Sequence, residues 1–231
     1  MSASVSLRLP WPAASVSAVA AILISIAYID RPLAIAANKL APTSRAIFEC
    51  ITVLGDSATY LVPVGIAAVV LYALERREDD AARKVRLRRY LFVALFLFAA
   101  VAMSGLATDL LKVLFGRSRP PLFLSNGDFG WHPFSLKPKF GSFPSGHANT
   151  AVSMALALGF LVPRARVILL IVAAFVALTR IALEAHYLSD TIAGASLAFA
   201  STIWLRALFA RRGWLFEEPS GSRLAHSGLG S

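Results

Sequence analysis

Two histidines, one carboxylate and a set of cations carry the chemistry that this sequence can offer. They sit in three short blocks: Lys112-Val-Leu-Phe-Gly-Arg-Ser-Arg119-Pro120, then Ser142-Phe-Pro144-Ser145-Gly146-His147, then Thr179-Arg180 followed by His186 and Asp190. A phosphate ester resists attack because its anionic oxygens repel a nucleophile, and an enzyme answers with positioning and fixed positive charge. Lys112, Arg119 and Arg180 could supply that charge. The arginine fork holds two phosphate oxygens at once, and lysine acts as a point charge. Ser145-Gly146 opens a predicted helix whose free N–H groups and dipole favour an anion, with glycine allowing close approach and the Ser145 hydroxyl adding a contact.

His186 and Asp190, four residues apart, share a face if the turn is helical, so the carboxylate can orient the ring and stabilise its positive form. That suits a nucleophile. His147, at the helix start, could donate a proton to a departing oxygen and suits a general acid. Each feature alone has a plainer reading. Lys112 and Asp109, three apart, make a local ion pair; His186 with Asp190 makes a polar pair; Pro144-Ser145-Gly146 makes an ordinary turn. The phosphoryl-transfer reading rests on their joint occurrence. A catalytic metal fits poorly, because Asp56, Glu184 and Asp190 form no compact carboxylate or HExxH-like pattern.

The elements that must hold these blocks are membrane helices. Of 231 residues, 57% are hydrophobic and only 16% charged, far from a soluble average. Apolar stretches long enough to span lipid fall near 13–30, 57–74, 90–113, 147–162, 166–184 and 188–209, so the expected fold is an all-α integral membrane bundle of six transmembrane helices. Residues 1–231 read as a single membrane-embedded domain. The apolar part of the Arg31–Asp56 connection, Ile47–Leu54, is too short to span and suits the interface or an extension of the second helix. The segment from Ala13 to Ile29, preceded by Arg8, has some features of a leader peptide and is read as a retained first helix. Cys50 is the only cysteine, which leaves no disulfide framework.

Basic residues set the orientation. Arg76, Arg77, Arg83, Lys84, Arg86, Arg88 and Arg89 crowd one connection, which places it on the cytoplasmic side, and Arg164, Arg166, Arg206, Arg211 and Arg212 agree with it by span count. The net charge of +10 therefore fits a membrane surface and not a nucleic acid. All three chemical blocks then meet the extracytoplasmic face. There Arg117, Arg119, Lys137 and Lys139 break the charge rule, as cations gathered around an anion would, although each taken singly suits snorkelling at the headgroups. Leu122, Phe123, Phe129, Trp131, Phe134 and Phe140 in the same connection suggest an interfacial loop, with His132 left without a role.

These blocks resemble the type 2 phosphatidic acid phosphatase (PAP2) family, which shares its catalytic core with vanadium haloperoxidases and some acid phosphatases. The family pattern is a lysine, six residues, then Arg-Pro; then Pro-Ser-Gly-His; then Ser-Arg, five residues, His, three residues and Asp. Thr179 stands where serine is usual. The resemblance implies that His186 attacks phosphorus, Asp190 orients it and His147 protonates the leaving group. It further implies that Lys112, Arg119, Ser145, Gly146 and Arg180 hold the phosphate, with no metal and no cofactor. The catalytic core would cover about 89–208. The substrate would be a membrane lipid phosphate, namely a prenyl diphosphate, phosphatidylglycerol phosphate, phosphatidic acid or a lipid A phosphate, with the first and the glycerophospholipids favoured. A phosphotransferase between lipids and a non-catalytic lipid-binding or transport protein are the alternative functions. The expected location is the cytoplasmic (inner) membrane, multi-pass, with the site facing the periplasm or exterior.

Overall fold

The long helices begin and stop where the sequence supplies caps and breakers. The computed structural model describes residues 11–216. α1 (Trp11–Ile24) runs through a π-helical turn, Ser25–Ile29, into α2 (Asp30–Ala37), giving one apolar rod of 27 residues. α3 (Pro42–Thr52) opens on proline, whose missing N–H is one that a first turn leaves unpaired anyway, and passes through a short 3-10 turn, Val53–Gly55, into α4 (Ala58–Arg77). α5 (Ala81–Phe115) starts at Asp80, whose carboxylate accepts the Arg83 amide at 2.7 Å. A short α6 (Pro120–Asn126) follows. α7 (Gly146–Leu161) is capped by Ser145 and halted before Pro163, and α8 (Arg166–Ala182) and α9 (Leu188–Arg211) are the last helices among the described residues. Arg8, considered above as the basic start of a leader, lies outside the described residues.

Among the described residues, five stretches are long and apolar enough to cross a membrane: Trp11–Ala37, Pro42–Arg77, Ala81–Phe115, Pro163–Ala182 and Leu188–Arg211. The remaining expected span, 147–162, is α7. It has 16 residues, about 24 Å at 1.5 Å per residue, short of a hydrocarbon core of roughly 30 Å. α7 nonetheless runs from the end of the bundle that holds the histidines to the end that holds Arg166, as a central post packed against α5, α8 and α9, with Ala148, Ala151, Ala155, Ala157 and Gly159 buried along it. Small side chains of this kind let helices approach closely where apolar burial gives no preference over lipid. α5 differs from expectation in the opposite sense. The basic segment read as a loop is already helical from Ala81, so α5 runs 35 residues, about 52 Å, and overshoots the apolar layer with its arginines. Arg88 pairs there with buried Glu75 of α4 at 2.6 Å.

Apolar side chains cover the outside of the bundle. Val16, Leu23, Val62, Ile66, Val69, Val167, Ile168 and Phe175 are all exposed, a surface that calls for lipid and not water. Inside, Phe96, Ala100, Ala157, Leu205 and Phe209 make one core between α5, α7 and α9, and Ala151, Ala155, Ala173 and Val176 make another between α7 and α8. Ser104 and Ser153 meet at 2.8 Å across α5 and α7. This packing brings the end of α5, the start of α7, the end of α8 and the start of α9 to one end of the bundle. Arg166, Arg206 and Phe160 gather at the other end, with both guanidinium groups over the Phe160 ring.

Candidate active site

α5 ends at Gly116, whose φ of 60° is left-handed and whose missing Cβ would fall 1.7 Å from the His132 carbonyl oxygen. Only glycine fits there. The turn sends Arg117 inward, locked by the backbone bonds Ser118 N to Gly130 O at 3.1 Å and His132 N to Gly116 O at 2.7 Å. Arg119 then donates through Nε to Pro138 O, through Nη1 to Ala185 O and through Nη2 to Gly141 O, at 2.9, 3.1 and 3.2 Å. It thus ties together the loop before Ser142 and the residue before His186.

Lys112 pairs with Asp109 at 2.8 Å, and its Nζ also lies 3.1 Å from where a side chain on Gly146 would begin. The local ion pair and the position at the α7 N-terminus are therefore both realised. Ser145 is fully buried; its Oγ accepts the Ala148 amide at 3.4 Å and its amide reaches Asp190 O at 2.9 Å, so its hydroxyl serves the helix start. Arg180 donates through Nη1 to Thr52 Oγ1 at 2.7 Å, and its buried Nε has no partner among the described residues. Thr179, the departure from the family pattern, turns its hydroxyl back onto Val176 O at 2.6 Å. The difference from serine therefore falls on a group bonded within its own helix.

The two histidines are brought to one place. His147 lies within electrostatic reach of Lys112, Arg180, His186 and Asp56, and its Cβ is 2.9 Å from the position a Cβ on Gly55 would take. The turn between α3 and α4 therefore closes over it. His186 is buried, and its Nδ1 meets Ser142 O at 2.7 Å, while Asp190 Oδ2 stands farther off at 3.7 Å. Asp190 acts on the ring in two ways, across that gap and by holding Ser142 through its Oγ at 2.6 Å. Since a carbonyl can only accept, Nδ1 carries the proton and the lone pair of the neutral ring is on Nε2. Asp190 also accepts the Tyr187 amide at 2.8 Å, which starts α9.

Burial pushes the His186 imidazole down to about 4, with Arg119 and Arg180 adding to it and Asp190 opposing. A histidine-selective NMR titration in micelles, with the signal assigned by its loss in His186→Ala, should therefore show a midpoint at about 4. A midpoint at the ordinary value of about 6.5 would mean that the carbonyl and carboxylate overrule burial.

Two residues that sequence reasoning missed complete this end. Arg117, counted above only as one of the loop cations, is fully buried and bonds Asp190 Oδ1 at 2.5 Å, Ser189 Oγ at 2.6 Å and Asp30 Oδ2 at 2.8 Å. Phe129, Trp131 and Tyr187 enclose its guanidinium. Asp30, at the start of α2, accepts the Ser189 amide at 3.0 Å. A lone carboxylate closing an apolar run was the signal that could have found it. Of the loop aromatics, Phe123 and Phe129 pack inward toward Tyr187, while Phe134 and Trp131 remain exposed. His132 pairs with Asp128 at 3.1 Å and stacks on Phe140. Among the described residues, no three of His, Cys, Asp and Glu converge as a metal-ligand set.

The profile of the PAP2 superfamily matches residues 93–214, which hold every residue of the three blocks. The chain belongs to the PAP2 superfamily. Two relatives named lipid A 1-phosphatase are similar along nearly their whole length. The one from Rhizobium johnstonii is 34% identical over 219 residues, covering 94% of this chain and 88% of the relative. The one from Rhizobium etli is 33% identical, covering 94% and 93%. Among solved structures, the crystal structure of a transmembrane PAP2-type phosphatidylglycerolphosphate phosphatase from Bacillus subtilis shares the fold, with a TM-score of 0.58 and 23% identity over 85% of this chain and 96% of that one. This PAP2 protein is a multi-pass membrane enzyme, a lipid phosphatase. Its alignment with the Rhizobium relatives reaches well beyond the PAP2 core, into the segment that contains Asp30.

Proposed function

We propose that this PAP2 enzyme removes the 1-phosphate of lipid A, without a metal, through a phosphohistidine intermediate at the extracytoplasmic face of a bacterial inner membrane. The observation that carries the mechanism is the Nδ1 bond of His186 to Ser142 O, which leaves the Nε2 lone pair free for phosphorus. Nε2 forms the N–P bond as the bond from phosphorus to the lipid oxygen breaks, and that oxygen takes a proton from His147. Water then attacks phosphorus as His147 takes its proton, the N–P bond breaks, and phosphate leaves with both histidines restored. Lys112, Arg119 and Arg180 hold the phosphate oxygens beside Gly146. The buried, unpartnered Nε of Arg180 supports this, since a phosphate oxygen would give it the acceptor it lacks.

The two Rhizobium relatives support lipid A over the prenyl and glycerophospholipid substrates favoured from sequence. Orientation is supported by the gathering of Arg166 and Arg206 at the end of the bundle away from the histidines. The test is phosphate release by purified protein in EDTA, without any acceptor lipid. The panel contains lipid A with and without its 1-phosphate, a prenyl diphosphate, phosphatidylglycerol phosphate and phosphatidic acid. Release from the 1-phosphorylated lipid A alone is the expected result. Preference for another lipid would overturn the substrate, loss of release in EDTA would overturn the metal-free chemistry, and a requirement for acceptor would make the enzyme a transferase.

A further inference from the structure

His186 needs negative charge beside it when it bonds to phosphorus and its ring becomes cationic. The nearest carboxylate, Asp190, is itself ion-paired to Arg117 at 2.5 Å, both fully buried. Taken alone, that pair is electrically neutral and offers the ring only a dipole. Arg117, however, is shared with a second buried carboxylate, Asp30, at 2.8 Å. Two carboxylates around one guanidinium leave the buried groups with one net negative charge, enclosed by Phe129, Trp131 and Tyr187; Arg31, over the Phe129 ring at 4.4 Å, is exposed, so solvent screens its charge. Among the buried groups a unit charge acts far more strongly than it would in solvent.

We propose that Asp30 and Arg117 are positioning residues for this PAP2 reaction: Asp30 restores the net negative charge that Arg117 would otherwise cancel, so that Asp190 can stabilise a cationic His186. The contribution comes from the first membrane rod, outside the 93–214 core matched by the superfamily. It rests on the reading of His186 as nucleophile, but its electrostatic part can be measured without catalysis. The other charges facing His186 are Arg119 and Arg180, with His147 nearby, and none of these changes in the variants below. Asp30→Asn keeps an oxygen for the Ser189 amide, which Asp30 accepts at 3.0 Å, and removes the charge together with the acceptor that Arg117 Nη2 and Ser189 Oγ share, so the double variant, which also removes the Arg117 donor, separates the charge from the lost bond.

The experiment compares Asp30→Asn, Arg117→Met and the double variant with wild type, by the NMR midpoint of His186 and by kcat and KM. Asp30→Asn should lower the midpoint and reduce kcat by about tenfold or more with KM near wild type, as loss of an interaction specific to the transition state does. Arg117→Met, which leaves two unpaired carboxylates, should raise the midpoint. The double variant again has one net negative charge, and both its midpoint and its kcat should return toward wild type. A purely structural role predicts the reverse, with the double variant no better than the worse single one. That outcome, or a folded Asp30→Asn with wild-type midpoint and kcat, overturns the proposal. If Asp30→Asn does not fold, Arg117→Met against the double variant makes the same one-charge comparison, since removing both partners of a buried pair is tolerated better than removing one. Activity that survives His186→Ala would remove the nucleophile while leaving the midpoint comparison intact, so the two failures are distinguishable.

Discussion

His186→Ala is expected to abolish lipid phosphate release, lowering kcat by at least about 10³-fold while substrate binding stays close to wild type. The ring is buried and oriented by Ser142 O at 2.7 Å, so no solvent group can take its place. Its removal leaves Lys112, Arg119 and Arg180 able to bind phosphate, which separates chemistry from binding. The wild-type enzyme, quenched during turnover of labelled substrate, should carry acid-labile, alkali-stable phosphate, as an N–P bond requires, and His186→Ala should carry none. Label retained in the variant would move the nucleophile elsewhere, and substantial residual turnover would remove the covalent pathway.

The second large effect is expected at His147, and its size should depend on the leaving group. For a lipid phosphate, whose departing oxygen needs a proton, His147→Ala should cost about 10²–10⁴-fold in kcat, the usual range for a positioned general acid. For an aryl phosphate such as p-nitrophenyl phosphate, the departing phenolate is stable without one. The first step should then survive while hydrolysis of the intermediate, which needs His147 as base, remains slow. The signature is a burst of one nitrophenolate per enzyme followed by a slow phase, with accumulation of labelled protein. Equal losses on both substrates would instead assign His147 to phosphate binding, beside the α7 N-terminus.

The parts of this site that could be read from the sequence are those written at short range. His186 and Asp190 lie four positions apart, and Ser145, Gly146 and His147 are adjacent, so local spacing announced them. The Arg117–Asp30 pair joins residues 87 positions apart, and nothing in either neighbourhood names the other. The Ser142–His186 bond uses a main-chain carbonyl, which any residue would supply, so the side-chain pattern pointed to Asp190 alone. Helix positions followed from hydropathy, but the start of α5 did not. Its charged first turns lower the hydropathy and were read as loop, although Ala, Arg and Lys are good helix formers and Asp80 stands in place to cap them. The length of α7 was limited by Pro163, and its central position depends on small residues whose partners lie on three other helices.

The bond between Asp30 and Ser189 spans 159 positions, and this has a bearing on biosynthesis. The first rod enters the bilayer with an acidic group that finds its cation only when the turn after α5 has been made, and its amide partner only when α9 begins. Arg117 compensates the acid once α5 is complete, but the Ser189 amide and the Asp190 carboxylate arrive only with α9, so the last helix completes the reactive centre. A nascent chain that stalls before residue 188 thus carries both histidines but lacks the carboxylate that Arg117 and Ser142 bind.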